Sequence, residues 1–147
     1  MIIHEFKSEI WLPRPIEEVF AFFSDAANLD SITPPWLRFH MVTPEPIEMR
    51  VGTLLDYRLR IRGFPVRWRS KITAWEPPRR FADEQVRGPY RLWIHEHNFD
   101  LRNAGTLVHD HVRYAVAFDW LLNKLLVRPD VERIFAYRTE SLRRRFC

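Results

Sequence analysis

Cysteine, glycine and long apolar runs are all scarce in this sequence, and each scarcity closes off a class of protein. The only cysteine, Cys147, is the last residue. Without a second thiol there is neither an internal disulfide framework nor a cysteine-based metal cluster, and a reducing, cytoplasmic setting is expected. Only 4 glycines occur in 147 residues. That supply leaves little material for phosphate-cradling loops, and no Gly-x-Ser-x-Gly, phosphate loop or dinucleotide fingerprint is found. No apolar run approaches the roughly 20 residues that cross a bilayer, and Glu5 and Lys7 interrupt the N-terminal apolar residues. Neither a membrane span nor a signal peptide is expected.

What is present is hydrophobic and aromatic. Hydrophobic residues make up 46% and aromatics 14%, with 6 Trp and 11 Phe, which is the composition of a globular chain with a large aromatic core. The length suits one domain spanning residues 1–147. A net charge of +4 raises the question of polyanions. Arg58, Arg60, Arg62, Arg67 and Arg69, however, alternate with apolar Tyr57, Leu59, Ile61, Val66 and Trp68. That pattern reads as the solvated face of a half-buried antiparallel hairpin, so no nucleic acid partner is expected. The same face remains a candidate surface for binding a protein.

Periodicity orders the elements. Ile3 to Trp11 alternates as a strand, and Pro13 and Pro15 end it and pre-set a helix in which Ile16, Val19, Phe20 and Phe23 share a face. A second short helical turn is expected over Ala26 to Ser31. The prolines of Thr33-Pro34-Pro35-Trp36-Leu37 leave Trp36 on an irregular loop. Strands follow at about Arg38–Val42, Thr53–Arg62, Val66–Trp75, Arg80–Val86, Arg91–Leu101 and Thr106–Phe118, with separators such as Gly63-Phe64-Pro65, Gly88-Pro89 and Asn103-Ala104-Gly105. Short connections favour an antiparallel meander. The final stretch turns helical, with a kink or restart at Pro129, and Arg143, Arg144 and Arg145 complement the dipole of its C-terminus. The expected class is α+β: a curved antiparallel sheet of about seven strands, two short helices after the first strand, and one long C-terminal helix leaning across the concave face. A helix rarely fills such a face from end to end, and the gap is a natural pocket.

These residues resemble a known superfamily. Pro-x-x-x-Val-Phe at Pro15 to Phe20, Thr-Pro-Pro-Trp-Leu at Thr33 to Leu37, Asp-x-Gln at Asp83 to Gln85, Gly-Pro-Tyr at Gly88 to Tyr90, Trp-x-His-x-His-x-Phe at Trp93 to Phe99, Gly-Thr-x-x-x-Asp-x-Val-x-Tyr at Gly105 to Tyr114 and Ile-Phe-x-Tyr-Arg at Ile134 to Arg138, in this element order, look like a bacterial START-like (SRPBCC) protein. That superfamily joins lipid-transfer domains, the birch-pollen-allergen fold and polyketide cyclases/dehydrases. The resemblance implies a helix-grip fold with a deep cavity between sheet and C-terminal helix. It does not fix an activity, because the group holds carriers, cyclases and co-chaperones.

Strand register decides which side chains face that cavity. A three-residue loop at Asn103-Ala104-Gly105 sets Trp93, Phe99 and Leu101 against His109, His111 and Arg113. Slipping by one residue brings Trp93, His95, His97, Phe99, Val108, Asp110, Val112 and Tyr114 to the inner face and sends His109, His111 and Arg113 to solvent. Alternation adds Tyr57, Leu59 and Ile61 from one strand and Phe81, Asp83 and Gln85 from another, and Phe135 from the helix. The expected ligand-binding set is therefore Tyr57, Leu59, Asp83, Gln85, Trp93, His95, His97, Phe99, Asp110, Val112, Tyr114 and Phe135, with Trp36 as a lid or an end plug.

Three readings stay open for His95 and His97: core imidazoles bonded to Asp110 or Tyr114, ligand contacts, or general acid/base groups. No metal and no cofactor are expected, since no well-spaced third ligand stands out beyond Asp110. The leading function is binding of a small hydrophobic or aromatic molecule, lipid or polyketide-like. The alternatives are a cyclase or dehydratase using His95 or His97, and a protein-interaction module on the arginine face. An exposed edge strand leaves room for a homodimer.

Overall fold

The computed structural model describes residues 1–147. Seven antiparallel strands form one sheet in the order β1-β7-β6-β5-β4-β3-β2. They are β1 (His4–Leu12), β2 (His40–Met41), β3 (Leu54–Ile61), β4 (Phe64–Glu76), β5 (Arg80–Arg87), β6 (Leu92–Arg102) and β7 (Gly105–Ala115). After β1 come the helix α1 (Ile16–Ser24) and three 3₁₀ turns, Ala26–Asn28, Asp30–Ile32 and Pro35–Leu37. The chain ends in a short helix α2 (Asp119–Leu122), a π turn (Asn123–Val127) and the long α3 (Arg128–Phe146). This is the α+β helix-grip arrangement, a curved sheet closed on one side by a C-terminal helix.

Local sequence explains the details that differ from expectation. Trp36 is not on an irregular loop: Pro34 and Pro35, with φ already preset, start a 3₁₀ turn that carries it. Pro129 falls at the start of α3, where its missing N–H costs nothing, so it restarts the helix after the π turn. Pro65 lies inside β4, opposite Arg60. It is tolerated because the β4–β5 pairing begins at Arg69, leaving the Pro65 end of β4 with no neighbour on that side.

Two hairpins have two-residue turns with positive φ throughout, Arg62-Gly63 (51° and 82°) and Asn103-Ala104 (49° and 61°). Such turns match the twist of antiparallel strands. The second one sets the register: Arg102 pairs with Gly105, Phe99 with Val108, His97 with Asp110, His95 with Val112 and Trp93 with Tyr114. The three-residue loop is thereby excluded and the slipped register holds. Gly105 is required there, since a Cβ would lie 2.5 Å from the Leu12 carbonyl oxygen.

Burial divides the concave face in two. At one end α1 and the last turns of α3 seal the sheet: Phe20, Phe22, Phe23, Phe99, Val108, Leu142 and Phe146 belong to the largest core cluster, of 13 residues. In α3 the buried residues Val131, Phe135, Arg138, Leu142 and Phe146 recur at helical spacing. Toward β3, β4 and β5 the helix stands off the sheet, and there the core opens. Arg62, expected on the solvated face, instead reaches Asp130 of α3 through two bonds of 3.1 and 3.0 Å and pins the helix across this opening.

Candidate functional site

The opening is a cavity of about 200 Å³ whose wall is mainly apolar. Leu55, Leu59, Trp68 and Ile72 of β3 and β4, Trp93 of β6, and Ile134 and Phe135 of α3 are part of it, and Leu29, Ile32 and Leu37 from the segment of 3₁₀ turns line it too. Its polar residues include Tyr57, Ser70, Asp83, His95, His97 and Arg138.

Four of these polar side chains form one cluster with Asp110, which lies behind them. Asp83 stands directly across from His95, and Asp110 directly across from His97. Each carboxylate bonds the diagonal partner instead. Nε2 of His97 meets Oδ2 of Asp83 at 2.8 Å, and Nε2 of His95 meets Oδ1 of Asp110 at 2.7 Å. The rings stack in file: Phe81 on His97 with centroids 4.0 Å apart, His97 on His95 at 3.7 Å. Arg138 closes the cluster from α3, its Nη2 3.4 Å from both Oδ1 of Asp110 and Nδ1 of His97. Its guanidinium also lies over the ring of Phe23 at 5.2 Å.

Electrostatics follow from burial and these contacts. Burial pushes His97 down to about 4 from its usual 6.5, with His95 adding to the effect, and the nearby carboxylates only partly oppose it. His97 is therefore neutral near pH 7: Nε2–H donates to Asp83 and Nδ1 accepts from Arg138. Burial favours the protonated form of Asp110, but the Arg138 charge and the His95 bond outweigh it and hold the carboxyl below its ordinary range. Asp83 is lowered for the same kind of reason, burial being overcome by the His97 bond and the surrounding positive potential. Burial raises the Tyr57 phenol, so it stays a neutral hydroxyl beside Ser70.

Two atoms of the cluster keep unused capacity. Nε of Arg138 is buried with no partner. Nδ1 of His95 makes no hydrogen bond to protein, while its ring lines the cavity. The ionised Asp110 carboxylate accepts from Nε2–H of the same ring.

The expected site residues fall into two groups. Tyr57, Leu59, Asp83, Trp93, His95, His97 and Phe135 line the cavity. Gln85, Phe99, Asp110, Val112, Tyr114 and Trp36 do not, each for an identifiable reason. Both ends of the Gln85 amide are taken by the backbone of Tyr90, at 2.7 and 3.0 Å, which ties the β5–β6 loop. Phe99 lies under α1. Val112 packs beneath Val131 and Phe135. The Tyr114 hydroxyl donates to Oδ1 of Asn123 in the π turn at 2.7 Å. Trp36 is 49% exposed and packs on Tyr137 and Arg133 at the outer side of α3, while its neighbour Leu37 enters the wall. Arg138 is not among the expected ligand-binding residues, although its helical spacing with Val131, Phe135 and Leu142 puts it on the inward face of the helix.

One metal-ligating constellation exists. Ligand atoms of Asp83, His95 and His97 lie within 4.8 Å of one another, so Asp83 supplies the third donor that spacing did not reveal. Against a dication stand the guanidinium of Arg138 at 3.4 Å from His97 and the commitment of both Nε2 atoms to carboxylates.

The sequence matches the family described as polyketide cyclase / dehydrase and lipid transport over residues 12–143. The chain belongs to this family. No curated protein matches the sequence. Among solved structures, CV1439 from Chromobacterium violaceum superposes with a TM-score of 0.75 at 13% identity, covering 97% of this chain and 96% of that one. TTHA0849 from Thermus thermophilus gives 0.67 at 22% identity, covering 95% and 97%. The Zhui aromatase/cyclase from Streptomyces sp. R1128 gives 0.72 at 16% identity, covering 96% and 92%. At these identities the likeness establishes the fold. No helix of this family member is long and apolar enough to cross a membrane.

Proposed function

We propose that the cavity binds a small aromatic molecule of about one substituted ring, carrying an oxygen that meets the polar cluster at His95 and Arg138. The carrying observation is an apolar cavity of about 200 Å³ with unfilled hydrogen-bonding capacity at one place in its wall. Size decides among ligands: an apolar cavity of about 150 Å³ is known to take up benzene, so the space here suits one ring and a short substituent. A long acyl chain or a fused polycycle demands that α3 move away from β3 and β4. Apolar walls supply affinity and sparse polar groups set orientation. The test is displacement of a fluorescent aromatic probe. Leu59→Trp, which fills the cavity from β3, should abolish probe binding while preserving the melting temperature; undiminished binding in that variant rejects the cavity as the site.

A second reading rests on the Asp110–His95 pair. A carboxylate that fixes one imidazole nitrogen as N–H leaves the other as a base, and His95 presents that nitrogen at the cavity wall. With Arg138 beside it to stabilise a developing oxyanion, the site is arranged to remove a proton next to a carbonyl. Deuterium exchange at the acidic C–H of a bound aryl ketone, followed by NMR, should disappear in His95→Gln. Equal exchange in wild type and variant refutes this reading and leaves binding standing.

A further inference from the structure

Outside the cavity, the segment leading into α3 keeps a set of large apolar side chains in water. Phe118, Trp120, Leu121 and Leu125 are 70%, 80%, 42% and 60% exposed. Single exposed apolar residues are ordinary; four within eight positions, two of them aromatic, mark an interaction surface. They are held there by specific contacts. Phe118 adopts φ 52°, a left-handed backbone uncommon for a bulky side chain, and its carbonyl accepts from the amides of Leu121 and Leu122. Asp119 is bonded to His4, and Asn123 to the Tyr114 hydroxyl. The backbone strain is spent on presenting apolar groups outward. Because β1 begins at His4 opposite Tyr114, the exposed Met1, Ile2 and Ile3 extend the same end of the molecule.

The charges at this end have one free sign. Asp119 is engaged by His4, Asp130 by Arg62 and Arg133, and Glu132 by Arg128. Lys124 is exposed beside Leu125, and Arg91 is exposed where its amide bonds the Ala115 carbonyl at the end of β7. Both cations are left without an acidic partner.

We infer that this end of the molecule docks on the surface of an anionic lipid bilayer, with Phe118, Trp120 and Leu125 entering the headgroup–acyl boundary and Lys124 and Arg91 meeting lipid phosphates. A short amphipathic segment with aromatic and leucine side chains beside basic residues is the chemistry of interfacial binding. A second copy of the chain fits less well, because a two-fold contact through this patch sets cation against cation. The inference is independent of what the cavity holds.

The test is co-sedimentation of the full chain with phosphatidylcholine vesicles, with and without phosphatidylglycerol. Wild type should bind the phosphatidylglycerol vesicles and release at high salt. Phe118→Ser with Trp120→Ser should weaken partitioning by at least about tenfold, and Lys124→Glu should weaken it only on anionic vesicles. All these positions are exposed, so melting temperatures should stay at the wild-type value; if the aromatic pair fails to fold, Leu121→Ser with Leu125→Ser gives the same readout. Wild type that stays in the supernatant with phosphatidylglycerol vesicles at low salt overturns the inference. So does a concentration-dependent dimer that these variants convert to monomer, which would assign the patch to a second copy.

Discussion

His97 makes the protein sensitive to acid in a window set by its burial, and the effect can be worked out from the structure. The ring is buried among Phe81, His95 and Arg138. Its folded value of about 4 lies below the 6.5 of an exposed imidazole. The unfolded chain therefore binds a proton more readily than the folded one between those values. Unfolding then takes up protons, and stability falls as the pH drops through the window. The full difference corresponds to about 3 kcal/mol, and about 2 kcal/mol of it is lost between roughly pH 7 and pH 5. His97→Gln retains an N–H donor for Asp83 without titrating. Urea unfolding of both proteins across this range isolates the contribution, because the other imidazoles are common to the pair. Wild type should lose about 2 kcal/mol relative to the variant on acidification. Parallel curves would mean that Asp83 and Asp110 fully offset burial. A wild type gaining stability relative to the variant would mean that His97 is charged in the fold, and the neutral assignment would fail.

Two further outcomes follow from single contacts. Arg138→Met removes the cation that holds Asp110 ionised in a buried setting, and should cost about 3–5 kcal/mol in urea unfolding; pairing it with Asp110→Asn should recover at least about 1 kcal/mol of that loss, as expected for coupled neighbours. Ala104 holds φ 61° in the β6–β7 turn. Ala104→Gly relieves that strain and should raise stability by about 1 kcal/mol, read as a melting temperature higher by about 2–4 °C.

The strands and the parity of β6 and β7 were readable from alternation because a residue slip moves every apolar side chain to the wrong face. The turn that fixes the register was less so: Ala104 with positive φ disguises a two-residue hairpin as a longer loop ending at Gly105. Alternation also overstates the cavity. It separates inner from outer faces, yet it says nothing about which inner residues a helix will cover, and so Phe99, Val112 and Tyr114 share parity with His95 while lying under α1, α3 and the π turn. Gln85 was lost to its own loop, whose closure depends on Gly88: a Cβ there would sit 2.4 Å from the Gln85 amide oxygen. Helical spacing puts Arg138 on the same face as Val131, Phe135 and Leu142, but spacing alone does not tell a basic residue that joins a buried polar cluster from one whose head reaches solvent; its contacts with Asp110 and His97 do.

The polar cluster couples the cavity to the position of α3. Asp83, His95, His97 and Asp110 all belong to the sheet, so their mutual geometry is fixed by strand register; Arg138 alone comes from the helix. Asp83 and Asp110 both stay ionised in a buried setting, and the charge of Asp110 is tolerable only while Arg138 stays seated beside it. A bulky ligand that pushes α3 outward must then weaken the Arg138–Asp110 contact at 3.4 Å, and lost charge pairing opposes its entry. A small ligand that leaves the helix in place meets no such resistance, and an oxygen on it can supply the acceptor that Nε of Arg138 lacks. Electrostatics and volume thus give independent support to the proposed occupant: compact, mainly apolar, with one hydrogen-bond acceptor toward Arg138.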